Sequence, residues 1–134
     1  MSFLDYLKDD SYNYNYAEDG RGSFEEIYKN KKYGQISVNK AYPGIVKGGH
    51  YHTYKNEIFI TVEGSCVTRL RKIGSNDIIE YPQEENKSNK VFIKPSYTHD
   101  IKNVGNKISS TLMWISEVYA DETSDTYRES VDLK

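Results

Sequence analysis

The chain has 134 residues, enough for one ordinary domain with its own core and too few for two domains of typical size. Its 18 lysines and arginines against 20 acidic residues give a formal charge of −2 with no long block of either sign, which argues against a nucleic-acid surface. No stretch approaches the roughly 18 apolar residues that spanning a bilayer requires. The opening MSFLDYLKDD is acidic rather than leader-like, and a single cysteine, Cys66, excludes an internal disulfide. A cytoplasmic protein is expected, with Cys66 packed as a small apolar residue.

In chain order, residues 1–17 read as an N-terminal edge strand or arm, because Tyr12, Tyr14 and Tyr16 alternate with polar residues and offer one aromatic face. The alternative is a mobile polar leader. Residues 18–119 read as a β-barrel or sandwich, with strands over 34–42, 48–52, 56–64, 65–74, 77–82, 90–95, 99–105 and 109–119. The turn signals EGS, GSND, EENKSN and NVGN punctuate them. Residues 120–134 read as a tail, either loop or short helix. The whole chain is expected to be a single all-β domain, and the aromatic N-terminal face to be covered in a homodimer.

Two of the three histidines, His50 and His52, are one residue apart, so on a strand they point the same way while Tyr51 points opposite. Glu57 opens the next strand after a short connection, and an antiparallel hairpin brings its carboxylate beside them. Two imidazoles and one carboxylate suit zinc, iron, manganese or nickel, and His99 is the histidine left to complete the set. By the same period-2 rule Tyr97 shares the face of His99 and is expected to point into the barrel as a candidate acid. Arg69 and Arg71, two apart on a strand, either face the cavity or form a solvated strand face.

The spacing from Gly44 through His50, His52 and Glu57 to Gly64 resembles the first cupin motif at every position, and Pro95 through His99 to Asn103 resembles part of the second. Asn89 stands where the second motif expects a glycine, and Tyr97 replaces another. The resemblance implies a cupin jelly-roll. A block of Asp19, Arg21, Gly22, Phe24 and Glu26, followed by Gly44, Lys47, Gly48 and His50, resembles the opening of nucleotide-sugar epimerase cupins. From Asp19 to about Glu129 the chain is similar to the C-terminal cupin domain of bifunctional capsular-polysaccharide epimerase/reductases, on Arg69, Arg71, Ile73, Gly74 and Ser75, then Tyr97, Thr98 and His99, then Asp125, Thr126 and Tyr127.

The last of these resemblances implies a zinc-dependent epimerase that inverts C3 of a UDP-4-keto-6-deoxy-N-acetylhexosamine, with a separate reductase as partner. No Gly-x-x-Gly-x-x-Gly loop follows a strand in this sequence, so the epimerase half alone is expected. His52, Glu57 and His99 are then the metal ligands, with His50 either the fourth ligand or the base. Tyr97 is the first choice of acid, with Tyr54 and Tyr127 behind it. Arg21, Phe24 and Glu26 bind substrate, Lys47 faces phosphate as part of the catalytic surround, and Arg69, Arg71 and Tyr127 contact the nucleotide sugar. Rival expectations are a nucleotide-sugar 3,4-ketoisomerase and a non-catalytic cupin that binds a sugar or a metal.

Overall fold

The computed structural model describes residues 12–87, 89–119 and 124–133, and among these there are strands and no helix. Eleven strands run in chain order: β1 (Tyr16–Asp19), β2 (Gly22–Asn30), β3 (Gly34–Ala41), β4 (Val46–Tyr51), β5 (Glu57–Glu63), β6 (Ser65–Lys72), β7 (Ile78–Glu84), β8 (Lys90–Ile93), β9 (Tyr97–Asn103), β10 (Ser109–Ile115) and β11 (Tyr127–Arg128). They form two antiparallel sheets, ordered β1-β2-β3-β10-β5-β8 and β11-β4-β9-β6-β7. Because β5 and β6 are joined through Gly64 yet belong to different sheets, the chain folds over itself there, as the jelly-roll expectation requires. Gly64 takes a φ of 78°, a left-handed conformation that glycine adopts without a side-chain penalty.

Alternation builds the core. Phe59 on β5, Cys66 and Leu70 on β6, Val91 and Ile93 on β8 and Ile101 on β9 form one buried cluster, with Tyr97 and Met113 packed against it. Polar residues fill much of the rest of the interior, and several pair with one another. Thr68 donates its hydroxyl to Gln83 at 2.6 Å, and the Gln83 amide donates to the Phe59 carbonyl at 3.0 Å. No helix among the described residues is long and apolar enough to cross a membrane.

The eight expected strands are present with ends shifted by a few residues. Three others, β1, β2 and β11, lie outside that set. In β2 the register against β3 shifts between Glu26 and Tyr28, so the strand does not keep the strict alternation by which a strand is recognised in sequence. The expected N-terminal strand begins only at Tyr16; residues 1–11 lie outside the described residues, and 12–15 are not strand. Asn15 still joins the edge, donating to the Glu26 carboxylate at 2.8 Å and accepting from the Glu26 backbone at 3.0 Å. Tyr14 and Tyr16 are 48% and 59% exposed, so the aromatic face expected at a dimer contact is open in the single chain. In place of a free tail, residues 125–132 lie across the second sheet, pairing β11 with β4.

Candidate metal centre and its cavity

β4 and β9 pair with His50 opposite His99, after a register shift between Gly48 and His50. His52 follows the end of β4, and Glu57 opens β5 on the facing sheet. One nitrogen or oxygen from each of these four residues lies within 4.8 Å of the others. His52, Glu57 and His99 are buried and His50 half-buried. The Glu57 Oε2 lies 2.8 Å from His99 Nε2 and 3.2 Å from His52 Nε2, yet none of these three atoms is aligned for a hydrogen bond. The far nitrogens are committed to backbone: His99 Nδ1 faces the Tyr97 carbonyl at 3.1 Å, and His52 Nδ1 the Asp125 carbonyl at 2.5 Å. A carbonyl only accepts, so each Nδ1 carries its proton and each Nε2 presents a lone pair. Three lone-pair donors converging on one buried point fit a divalent metal, with backbone carbonyls fixing the imidazoles as in established metal sites.

The charged groups of the metal-free cluster also act strongly on one another. Burial alone raises the Glu57 carboxyl, but the neighbouring His99 and His52 outweigh it and hold the group well below the usual carboxylate range. Burial lowers His52, and its close approach to Glu57 reverses the sign, leaving it raised. Burial pushes His50 down to about 4, with His99 adding to the fall and Glu57 opposing it. His50 is therefore neutral at ordinary pH. In metal-free protein, an NMR titration is expected to show it gaining its proton near pH 4 rather than near 6.5. A depressed folded value means that the stability from burying His50 neutral is complete above about 6.5 and is lost as pH falls through about 4. Titration of His50 at 6 or above sinks this expectation.

The cluster sits in the wall of a cavity of about 450 Å³. Arg21, Phe24, Glu26 and Lys47 line it, as do His50, His52, Glu57 and His99. Of the expected binding residues, Arg21 is exposed and tied to Asp19 at 3.0 Å, and Glu26 pairs with buried Lys29 at 2.9 Å. Lys47 reaches the cavity, but its ammonium donates to the Ser23 carbonyl at 3.2 Å, Asn39 Oδ1 at 3.0 Å and the Lys40 carbonyl at 2.8 Å. With three donors and three protein acceptors, Lys47 staples β4 to β2 and β3 rather than standing free for phosphate.

Other expected site residues lie away from the cavity. Arg69 and Arg71 do not line the cavity. Cys66, Thr68 and Leu70 take the inward face of β6, so the arginines face outward, onto the C-terminal segment. Arg69 binds Asp100 in a fork at 2.9 and 2.6 Å and reaches Asp132 at 2.7 Å. Arg71 donates to the carbonyls of Val131, Ser75 and Ser130 and pairs with Glu129 at 3.2 Å. Tyr97 lines a separate small recess with Leu70, Ile79, Tyr81, Phe92 and Lys94. Two residues from His99 it keeps the same face, but it stands about 6–7 Å further along the strand. Tyr127 stacks on Tyr51 with ring centres 5.3 Å apart, outside the cavity, and Tyr54 is half exposed and also outside it.

The cavity wall includes residues that the sequence reading passed over: Gln35, Ser37, Met113, Tyr119, Thr126 and Arg128. Period-2 placement of Thr126 and Arg128 on either side of Tyr127 was available, but only once 127–128 is known to be a strand. Lys55 was also missed. It is fully buried behind this wall, its Nζ 5.8 Å from the centre of the Tyr119 ring.

The family described as the polysaccharide biosynthesis C-terminal domain matches residues 17–127. The chain belongs to this family. It is 36% identical, over 97% of its own length, to a UDP-2-acetamido-2,6-beta-L-arabino-hexul-4-ose reductase from Pseudomonas aeruginosa, of which it covers 36%. It superposes on the capsular polysaccharide assembling protein CapF from Staphylococcus aureus with a TM-score of 0.84 and 42% identity, over 92% of this chain and 33% of that one. The chain thus spans about a third of the length of these two relatives. The QdtA 3,4-ketoisomerase from Thermoanaerobacterium thermosaccharolyticum, at 24% identity and a TM-score of 0.57 over 87% of this chain and 83% of that one, shares the fold. The all-β cupin jelly-roll expected from the motif spacing is the fold of this family member.

Proposed function

We propose that this domain is a nucleotide-sugar epimerase that abstracts the proton at C3 of a 4-keto-6-deoxyhexosamine nucleotide, in surface polysaccharide biosynthesis. The observation that carries the reading is the convergence of three buried, unmatched ligand atoms on one point in the wall of a cavity of sugar-accommodating size. The relatives supply its context, since one is named for a UDP-hexulose reductase and another for capsular polysaccharide assembly. CapF is also known with the inhibitor 3-isopropenyl-tropolone, and tropolones chelate divalent metals through two oxygens.

His52, Glu57 and His99 would hold the metal, zinc for choice given the nitrogen and carboxylate donors. A bound divalent ion supplies Lewis-acid polarisation of the ketone, which acidifies the neighbouring C–H. His50, neutral and facing the cavity, takes that proton. Inversion needs a donor on the other face of the sugar, and Tyr119 is the phenol on the cavity wall, in the role the sequence assigned to Tyr97. Arg21, Phe24 and Arg128 line the cavity where a nucleotide diphosphate and its base would need a cation and an aromatic surface. A reductase acting on the same 4-ketone is the matching partner, because reduction would draw off an otherwise balanced epimerisation.

The test is exchange in heavy water. With a UDP-4-keto-6-deoxy-N-acetylhexosamine and no nicotinamide, deuterium is expected at C3 by NMR, with His50→Ala lowering the rate about 10²–10⁴-fold. Movement of the ketone from C4 to C3 would transfer the case to a ketoisomerase. No label across UDP and dTDP substrates, in folded metal-loaded protein, would leave a binding cupin.

A further inference from the structure

Asp125 and the neighbouring Thr126 come from a segment that is more than 70 residues from His52 in sequence, and they meet His52 and the turn that follows it at six places. The Asp125 carboxylate accepts from the backbone of Thr53 at 2.8 Å, Tyr54 at 2.8 Å and Lys55 at 3.4 Å, and from the Thr53 hydroxyl at 2.6 Å. Its own carbonyl accepts from His52 Nδ1 at 2.5 Å, and the neighbouring Thr126 hydroxyl lies 3.4 Å from the same nitrogen. Asp125 is 3% exposed. A buried carboxylate that gathers consecutive backbone N–H groups fixes the path of a turn, and a carbonyl on Nδ1 fixes the tautomer of the ring.

The segment is anchored independently of His52. Glu129 donates its backbone N–H to Gly49 at 3.0 Å, the Thr98 hydroxyl donates to the Glu129 carbonyl, and Arg69 and Arg71 hold Asp132, Glu129, Ser130 and Val131. Asp125 therefore sits on a segment tied to the second sheet at several points. Arg69 and Arg71, which the sequence suggested for substrate, form that support together with the C-terminal segment.

We propose that Asp125 is a positioning residue for the His52–Glu57 pair: it sets the turn that carries both ligands and, through its carbonyl, holds His52 with Nε2 turned to the cluster. The inference rests on the metal reading above, and its test separates the two. Asp125→Asn and Asp125→Ala are compared with Asp132→Ala, a change on the same segment that reaches Arg69 and not the turn. Zn²⁺ affinity, measured well below the melting temperature, is expected to fall about 10–100-fold in the Asp125 variants and to stay within about twofold in Asp132→Ala. In metal-free protein, ¹⁵N shifts of the His52 ring are expected to report one tautomer in the wild type and a mixture in Asp125→Ala. If Asp125→Ala does not fold, Asp125→Asn, which keeps size and one acceptor, decides by both readouts. Unchanged affinity and unchanged His52 shifts in Asp125→Asn overturn the proposal, as does an equal loss in Asp132→Ala. A wild type that takes up no Zn²⁺ removes the metal reading, and the ring shifts of the metal-free variants then decide whether Asp125 positions His52.

Discussion

Glu57→Ala and His99→Ala are each expected to leave a folded protein that no longer retains a divalent metal, with C3 exchange lowered by about 10²–10³-fold or more, the scale for losing one group that stabilises a developing oxyanion. Both residues are buried and point lone pairs at the common centre from opposite sheets, Glu57 from β5 and His99 from β9. Neither can be replaced by a neighbour, because the Glu57 Oε2 is the atom shared by both imidazoles, at 2.8 and 3.2 Å. The fold is expected to survive Glu57→Ala, since the change removes a buried charge along with its partners' claim on it, and imidazoles tolerate neutrality. Elemental analysis of protein expressed with excess zinc provides the check. A full equivalent of metal in either variant would show that the cluster is not the binding site.

Gly48→Ala is expected to be strongly destabilising, because the glycine sits where β4 passes close to β9 beside the histidine cluster. Gly48 has a φ of 111°, which L side chains rarely adopt, and an added Cβ would sit 2.8 Å from the His99 carbonyl oxygen and 3.0 Å from the Asp100 Cα. Both obstacles are backbone of the paired strand, so relief requires β4 to move off β9. Backbone strain of about 1–3 kcal/mol and overpacking of about 1–3 kcal/mol add to a loss of roughly 2–6 kcal/mol. The melting temperature should fall by more than about 10 °C. The movement also separates His50 from His99, the pair that faces across this register. Gly44→Ala is the control: its φ is 82°, but an added Cβ meets nothing within 4 Å, so only the strain of about 1–2 kcal/mol remains. Equal stability of the two variants would refute the close-approach argument.

Local sequence determined a good deal here. Alternation alone puts His50 and His52 on one face and Tyr51 on the other, and the short run to Glu57 returns the carboxylate to them; the structure brings these with His99 to within 4.8 Å. The strand segments, the turns between them and the burial of Cys66 follow from composition and punctuation in the same way. All of these depend on neighbours a few residues apart, where strand geometry leaves little choice.

What the tertiary structure decided is of a different kind. Period 2 gives the face of a residue and not its level along the barrel, so Tyr97 shares the face of His99 yet lines another recess. It gives two faces without saying which is covered, so Arg69 and Arg71 turned out to grip the C-terminal segment. Lys47 lies at the cavity, but its ammonium is taken up by Ser23 on β2 and by Asn39 and Lys40 on β3, acceptors that meet it only once the strands are assembled. Asp125 carries no local signal, because its partners Thr53 to Lys55 lie about 70 residues earlier. Contacts across such distances are selected by the closure of the whole barrel, and that closure decides which side chains surround the histidine–glutamate cluster.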